Sequence, residues 1–191
     1  MARSLTRYAV VLLTAALLTS GCGGGGPTAT ATAGSTKPAS GHNAADVMFL
    51  QMLVPHHRQG LAIVRLARDR PLDRDVRQLA DAIESTQASE VKTMAGWLRK
   101  WGEPPTAPAD SHAGHGGMPQ TSEAAIKALA KTPDAKFQRE FLNLLIAHQD
   151  DAIQIARLEL RTGRAAAARR LARQVDRSRT AQIKQMLAWL G

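Results

Sequence analysis

The sequence predicts an all-α protein, a four-helix bundle with up-down-up-down connectivity that is built from two repeated helical hairpins. The 191 residues are only 4% aromatic and rich in Ala, Leu and Arg, a composition that favours helices over sheets. An offset of 92 residues aligns 46–98 with 138–190 without a gap. Because one hairpin cannot bury its apolar face alone, the two copies should pack against each other. Identical pairs include Phe49/Phe141, His56/His148, Leu79/Leu171, Met94/Met186 and Trp97/Trp189.

Residues 1–21 have the three-part pattern of a lipoprotein signal peptide. Arg3 and Arg7 precede an apolar run at 8–18 that is too short to span a bilayer, and small residues come just before Cys22. This order predicts that Cys22 is lipidated and anchors the mature protein to the cell membrane on its extracytoplasmic side. An ordinary secretory signal or an uncleaved anchor would also place the domain outside the cytoplasm. As the single cysteine, Cys22 can form no intramolecular disulfide.

The remaining chain divides into a tether and one helical domain. Residues 22–45 are mostly Gly, Thr, Ala, Ser and Pro, which cannot bury a core and predict a flexible tether. Residues 46–191 predict the bundle, with one repeat at 46–101, a linker at 102–133 and the second repeat at 134–191.

Each helix is predicted from the spacing of its apolar residues and from the capping and helix-breaking residues at its ends. Asp46 offers an N-cap for the first helix, which has Pro55 in its interior, and Thr162-Gly163 ends the third. A short helix is expected within the linker. The helices are expected at about 46–68, 73–101, 121–131, 133–161 and 164–190.

Polar residues interrupt these apolar stripes. His56 and His57 lie within the stripe of the first helix, and Gln87 and Glu90 lie on that of the second. Buried polar groups need partners, so these side chains should meet in the interior. Under the repeat, His148 should approach His56, and Met186 should approach Met94. The second repeat has replaced the other polar residues, with the pairs His57/Gln149, Gln87/Arg179 and Glu90/Gln182.

The residue types of this interior suit a metal ion. Neutral imidazole and thioether favour Cu(I), whereas imidazole with carboxylate suits Cu(II) or Zn. The predicted ligands are His56, His57, Glu90, Met94, Met52, His148 and Met186, with Gln87 behind them. The alternative is a structural network that holds the bundle in register without a metal. A second, weaker copper site is expected in the linker at His112, His115 and Met118, where the alternative is a plain polar loop.

The polar positions have the spacing of a known family. Phe-Leu-x-Met-x-x-Pro-His-His at 49–57, Gln-x-x-Glu-x-x-x-Met-x-x-Trp-Leu at 87–98 and a second His-bearing copy at 141–148 resemble the bacterial family DUF305, a domain of unknown function. The resemblance implies a ferritin-like bundle and, from some members, periplasmic copper binding. Family members usually have two adjacent histidines where this chain has His148-Gln149, so a symmetric pair of sites is not expected.

Charge and the missing motifs narrow the function further. The net charge is +9, and 157–191 is strongly basic, which predicts contact with anionic lipids or envelope polymers, or else a solvated face. Nucleic acid is not expected outside the cell, and no enzyme is expected, because no Glu has a His three residues later. The sequence therefore predicts an extracytoplasmic copper-binding protein. The alternative is a metal-free interaction module that uses its basic helices at the cell envelope.

Overall fold

The computed structural model describes residues 41–107 and 120–191, and this part of the chain contains five α-helices and no strand. The all-α prediction is confirmed, and the bounds lie close to those expected from the sequence. No helix in the described ranges is both long enough and apolar enough to cross a membrane. The helices are α1 Ala44–Arg65, α2 Arg74–Trp101, α3 Glu123–Ala130, α4 Asp134–Thr162 and α5 Ala166–Leu190.

The first helix begins two residues earlier than expected because Asn43, and not Asp46, caps it. The Asp46 amide donates to Asn43 Oδ1 at 3.0 Å, and the Asn43 amide donates to Asp46 Oδ2 at 2.6 Å. This reciprocal capping box satisfies two backbone donors at once. Pro55 lies inside α1, which continues through it.

Contacts at the two ends of the bundle fix the direction of each helix. Asn43, before α1, donates to the Thr162 carbonyl at the end of α4 over 2.9 Å. At the opposite end, the amide of Asp73, before α2, donates to Gln138 near the start of α4 over 2.7 Å. Helices α1 and α4 are therefore antiparallel, whereas α2 and α4 run in the same direction.

The predicted up-down-up-down connectivity is consequently wrong, and the four long helices run up-down-down-up. The reason is that α2 ends at the end of the bundle where α1 begins, whereas α4 begins at the opposite end. Each hairpin packs within itself, α1 on α2 and α4 on α5, and α1 against α4 joins the two hairpins. The packing is that of a helical bundle, with a twofold relation between the hairpins.

Two apolar clusters fill the ends of the bundle. The cluster at the end where α1 begins, here called the N-terminal end, includes Phe49, Met52, Leu53, Met94 and Leu98. The cluster at the opposite end includes Ile63, Phe137, Phe141, Leu145 and Met186. Met94 and Met186 therefore do not approach one interior region, contrary to the prediction. They are repeat equivalents, and the antiparallel arrangement of the hairpins sends them to opposite ends.

A buried polar layer separates the two clusters. On every long helix it occupies the one or two turns between the residues of one cluster and those of the other. Its buried members are His56, His57, Gln87, Glu90, His148, Gln149 and Arg179.

Candidate metal centre

The polar layer is built around two stacked imidazoles, one from each repeat. The rings of His56 and His148 lie 3.9 Å apart between centroids with an interplanar angle of 12°. Both side chains are completely buried. The antiparallel packing of α1 on α4 brings these repeat equivalents face to face, as the repeat predicts. Neither ring nitrogen of His56 has a hydrogen-bond partner, so the nitrogen that carries the lone pair stays available inside the protein.

The second histidine of α1 is held by a carboxylate. His57 Nε2 lies 2.7 Å from Glu90 Oε2, and Arg179 Nη2 donates to that same oxygen over 2.9 Å. A carboxylate only accepts, so a neutral His57 carries its proton on Nε2 and keeps the lone pair on Nδ1. Nδ1 is buried and has no partner. Glu90 thus fixes the tautomer that presents a free donor atom to the interior.

Arg179 reaches the first repeat from the second. Its side chain is completely buried, as is that of Gln87, its equivalent in the first repeat. Burial lowers the pKa of its guanidinium, which nevertheless remains a cation opposite Glu90. Burial by itself raises the pKa of Glu90, but the hydrogen bond with His57 and the charge of Arg179 outweigh it and leave that pKa below its ordinary value.

His148 is oriented by a residue of the linker. Thr121 Oγ1 lies 2.9 Å from His148 Nδ1, and His148 Nε2 has no partner. Gln87 is also completely buried, and neither atom of its amide has a partner. Gly60 makes room for both groups. A Cβ at this glycine would lie 2.8 Å from His148 Nε2 and would collide with the Gln87 amide.

All three histidines of the layer are neutral at physiological pH. Burial and the stacked His148 hold the pKa of His56 well below its ordinary value. Burial also lowers the pKa of His57, although the hydrogen bond to Glu90 opposes it. Burial, with the neighbouring positive groups, lowers the pKa of His148 to about 3. Neutral imidazole is the form that coordinates metals.

The second repeat has an amide pair where the first has an ionic one. Gln149 Nε2 donates to Gln182 Oε1 over 2.5 Å, and these residues are the equivalents of His57 and Glu90. The uncharged pair offers no imidazole, and Arg179 from this half neutralises Glu90. The first repeat therefore supplies more of the possible ligand groups of the layer than the second, as the sequence predicts.

The other predicted residues lie further from the stack or outside the described ranges. Met52 and Met94 belong to the apolar cluster at the N-terminal end, and Met186 belongs to the opposite one. Nothing is described of the remaining predicted residues, which are His112, His115, Met118 and Cys22.

Two residues of this site carried no assignment from the sequence. Gly60 offered a signal, because a glycine inside a helix costs stability and usually has a packing reason. Thr121 offered none, since a threonine in a linker has many roles.

The donor set fits copper, although it does not form a finished coordination sphere. Within 41–107 and 120–191, no three His, Cys, Asp or Glu side chains converge as a ready-made ligand group. The lone pair of an imidazole nitrogen lies in the plane of its ring, so two nearly parallel rings cannot both point at one ion between them. The unpartnered buried nitrogens of His56, His57 and His148 are nevertheless the ligand type that copper prefers.

Comparison with known proteins places the chain among solved structures of one family. A DUF305 fragment from Deinococcus radiodurans is 31% identical, with a TM-score of 0.68 over 78% of this chain and 97% of that one. A DUF305 protein of Streptomyces coelicolor that is presumed to be secreted is 27% identical, with a TM-score of 0.69 over 74% and 89%. No curated protein sequence matches.

A third relative is a protein whose copper-bound forms have been solved. CopM in its Cu(I)-bound form is 26% identical, with a TM-score of 0.64 over 75% of this chain and 94% of that one. CopM has also been solved bound to Cu(II) and to Ag. The sequence profile of the domain of unknown function DUF305 matches residues 46–190, nearly the whole described bundle. The chain therefore belongs to the DUF305 family.

Proposed function

We propose that the protein binds copper outside the cytoplasm, and that the polar layer is its tighter site. The observation that carries the proposal is the group of buried ring nitrogens without partners on His56, His57 and His148. An unpaired buried polar atom costs free energy, and a metal ion would satisfy several of them together. The similarity to CopM, which has been solved with copper bound, supports the choice of metal.

The residues divide into ligands and supports. His56, His57 Nδ1 and His148 Nε2 are the proposed imidazole ligands, while Met52 and Met94 are candidate thioethers from the neighbouring cluster. Glu90 acts behind His57, since it accepts the Nε2 proton and so aims Nδ1 into the layer. Thr121 would do the same at His148 Nδ1, and the Gln87 amide, which has no partner in the layer, is a further candidate to support a bound ligand. Met186, in the opposite cluster, is a less favourable ligand for this site.

Copper binding to this layer requires one imidazole to rotate. Because the stacked rings of His56 and His148 cannot aim at one ion together, loading should break the stack. The second repeat has only the amides of Gln149 and Gln182 where the first has His57 and Glu90, which disfavours a second equivalent ion. We therefore expect one tight site per chain, with weaker binding by the loop residues His112 and His115.

A copper titration against a competing chelator tests the core site, with protein that carries no His tag. His56→Phe preserves ring volume, and His57→Gln copies the residue of the second repeat. Each should weaken binding by at least about tenfold, which is the lower range for loss of a supporting contact. Helicity by circular dichroism should not change. Binding should also weaken at low pH, where protons compete for imidazole.

Two controls separate the core site from other binding. His42→Gln makes the same substitution outside the layer, where His42 stacks on Trp101, and should leave the tight site intact. A His112→Gln and His115→Gln double variant should lose only the weaker binding. If wild type and the His56→Phe, His57→Gln double variant hold copper equally, the core site does not exist.

The alternative function is a metal-free interaction module at the cell envelope. It would follow if the wild type itself bound no copper in the titration, because the layer would then serve only to hold the bundle in register. In either case the proposal is for a binding protein and not for an enzyme, since the chain has no Glu-x-x-His motif.

The proposed location is the extracytoplasmic face of the cell membrane, with Cys22 as the lipid attachment site. The order of charged, apolar and small residues before Cys22 supports it. Cys22→Ala should release the protein from the membrane fraction. If the variant stays there as the wild type does, the lipid anchor is wrong.

A further inference from the structure

The two ends of the bundle differ in their surface charge. The N-terminal end is formed by 41–50, 97–107 and 157–173, where α1 and α5 begin and α2 and α4 end. The carboxylates in these ranges are Asp46, Glu103 and Glu159, and none of them is exposed. The exposed cations of this end are Arg99, Lys100, Arg161, Arg164, Arg170 and Arg173, together with Arg157, which is paired with Asp176 just outside these ranges.

The opposite end has no such excess of one sign. Exposed acids and bases alternate there along the start of α2, along α3 and along the start of α4. They include Asp69, Arg74, Asp75, Glu123, Lys131, Asp134, Lys136 and Glu140. The positive charge predicted for the last part of the chain is thus concentrated at one end, and α2 contributes to it as well as α4 and α5. Arg179, by contrast, is buried in the polar layer.

Two tryptophans accompany the cations at the N-terminal end. Trp97 and Trp101 are half-buried and line a groove together with Lys100, Arg170 and the half-buried Glu103. The start of α5 forms the other wall of this groove, at Ala165–Ala167. No side chain caps α5, and the amides of Arg164 and Ala165 just before it donate to the buried Asp46 carboxylate. Cations contact lipid phosphates, and indole rings are enriched at the interface of a bilayer.

The chain also reaches the domain from this end. Gly41 lies beside the same groove, and the forty residues before it contain the apolar run 8–18 and Cys22. The described part of the chain therefore begins at the end of the bundle that carries these cations.

We propose that the N-terminal end of the bundle docks on an anionic phospholipid surface, with Lys100 and Arg170 on the headgroups and Trp97 and Trp101 at the interface. The inference does not depend on copper binding. Docking would give the domain a defined orientation, in which the opposite end, where acids and bases alternate, is directed away from the lipid.

The tryptophans provide a matched pair of reporters for a test on the full chain. Trp97 and Trp101 lie at the docking end, whereas Trp189, the repeat equivalent of Trp97, packs on the cluster at the opposite end. In a Trp189→Phe variant the tryptophan fluorescence comes from the N-terminal end. In a Trp97→Phe, Trp101→Phe variant it comes from the opposite end. Each is reconstituted with phosphatidylcholine vesicles that carry brominated acyl chains, with or without phosphatidylglycerol.

Quenching is expected for the Trp189→Phe reporter in vesicles with phosphatidylglycerol, and not for the reporter that keeps Trp189. High salt should remove the quenching, because it screens exposed charges. Adding Lys100→Glu and Arg170→Glu should reduce it strongly, whereas Lys131→Glu and Lys136→Glu at the opposite end should not. These exposed charge variants leave the core intact.

Several results would overturn the proposal. One is equal quenching of the two reporters, and another is quenching that ignores phosphatidylglycerol or the Lys100 and Arg170 variants. A third is binding of soluble polyglutamate at this end without any quenching by anionic vesicles, which would indicate an acidic protein partner instead.

Discussion

The buried ionic pair between the repeats should dominate the stability of the polar layer. Glu90→Gln keeps an acceptor for His57 but leaves the fully buried Arg179 cation without a counter-charge. Breaking a buried pair in this way costs about 3–5 kcal/mol. Arg179→Met leaves a carboxylate that still accepts from His57, so its cost should be smaller, about 1.5–3 kcal/mol for a charged hydrogen bond.

The double variant should recover most of the loss. With Glu90→Gln and Arg179→Met together, no uncompensated charge remains, and a buried pair replaced by neutral groups is often close to neutral in stability. We therefore expect a coupling energy of at least about 4 kcal/mol between the two positions, measured as a double-mutant cycle in urea unfolding. The free energy of unfolding of a native protein is only about 5–15 kcal/mol, so this effect is large.

An exposed pair in the same protein provides the matched control. Arg157 Nε lies 3.0 Å from Asp176 Oδ1, close to the 2.9 Å that separates Arg179 from Glu90. The Arg157 side chain is 57% exposed, so Arg157→Met and Asp176→Asn should couple by no more than about 1 kcal/mol. If the two cycles give equal coupling energies, burial is not what makes the Glu90 pair strong, and the reasoning fails.

Three further predictions concern glycine packing and pH. Gly60→Ala should destabilise the fold by about 1–3 kcal/mol and weaken copper binding, because its Cβ meets His148 and Gln87. Gly96→Ala, whose Cβ would make only an ordinary van der Waals contact with the Arg99 side chain at 3.9 Å, should instead stabilise by about 0.5–1 kcal/mol in the same urea assay. Burial and the nearby Asp46 raise the pKa of Glu159 to about 8, so the native state holds its proton where the unfolded state does not. The contribution of Glu159 to stability should therefore be lost as pH rises from about 5 to 8, and a Glu159→Gln variant that melts with the same pH profile as wild type would contradict this. The pKa of His148 is lowered to about 3, so its own contribution should be lost as pH falls below about 6.5, and His148→Phe should make the melting temperature less dependent on pH in that acid range.

The sequence predicts the interior of this protein better than its topology. The helical period decides which side chains face inward, and the repeat then brings His56 onto His148. A twofold relation between hairpins can have its axis along the helices or across them, and both axes produce the same sequence repeat. Only the path of the linker distinguishes the two, and periodicity carries no information on that path. The prediction that Met94 approaches Met186 was wrong for the same reason.

The details of the site depended on contacts that have no sequence pattern. Glu90 and His57 lie on facing stripes, so their pairing follows from helix geometry. Thr121 reaches His148 from the linker, which no periodicity governs. Arg179 was expected to bring positive charge, but its full burial and its contact with Glu90 across the repeats became visible only in three dimensions.

The joining of both hairpins in one chain has an evolutionary consequence. A homodimer of a single hairpin would have to place every substitution twice, once in each protomer, across a self-complementary interface. An arginine introduced to meet a glutamate would then appear beside both copies of the site and neutralise both. Duplication within one gene removes that restriction, so one half could keep its histidine pair while the other exchanged a histidine for Gln149 and gained Arg179. The asymmetric layer is a form that independent mutation of two linked copies allows and that a symmetric ancestor could not have reached.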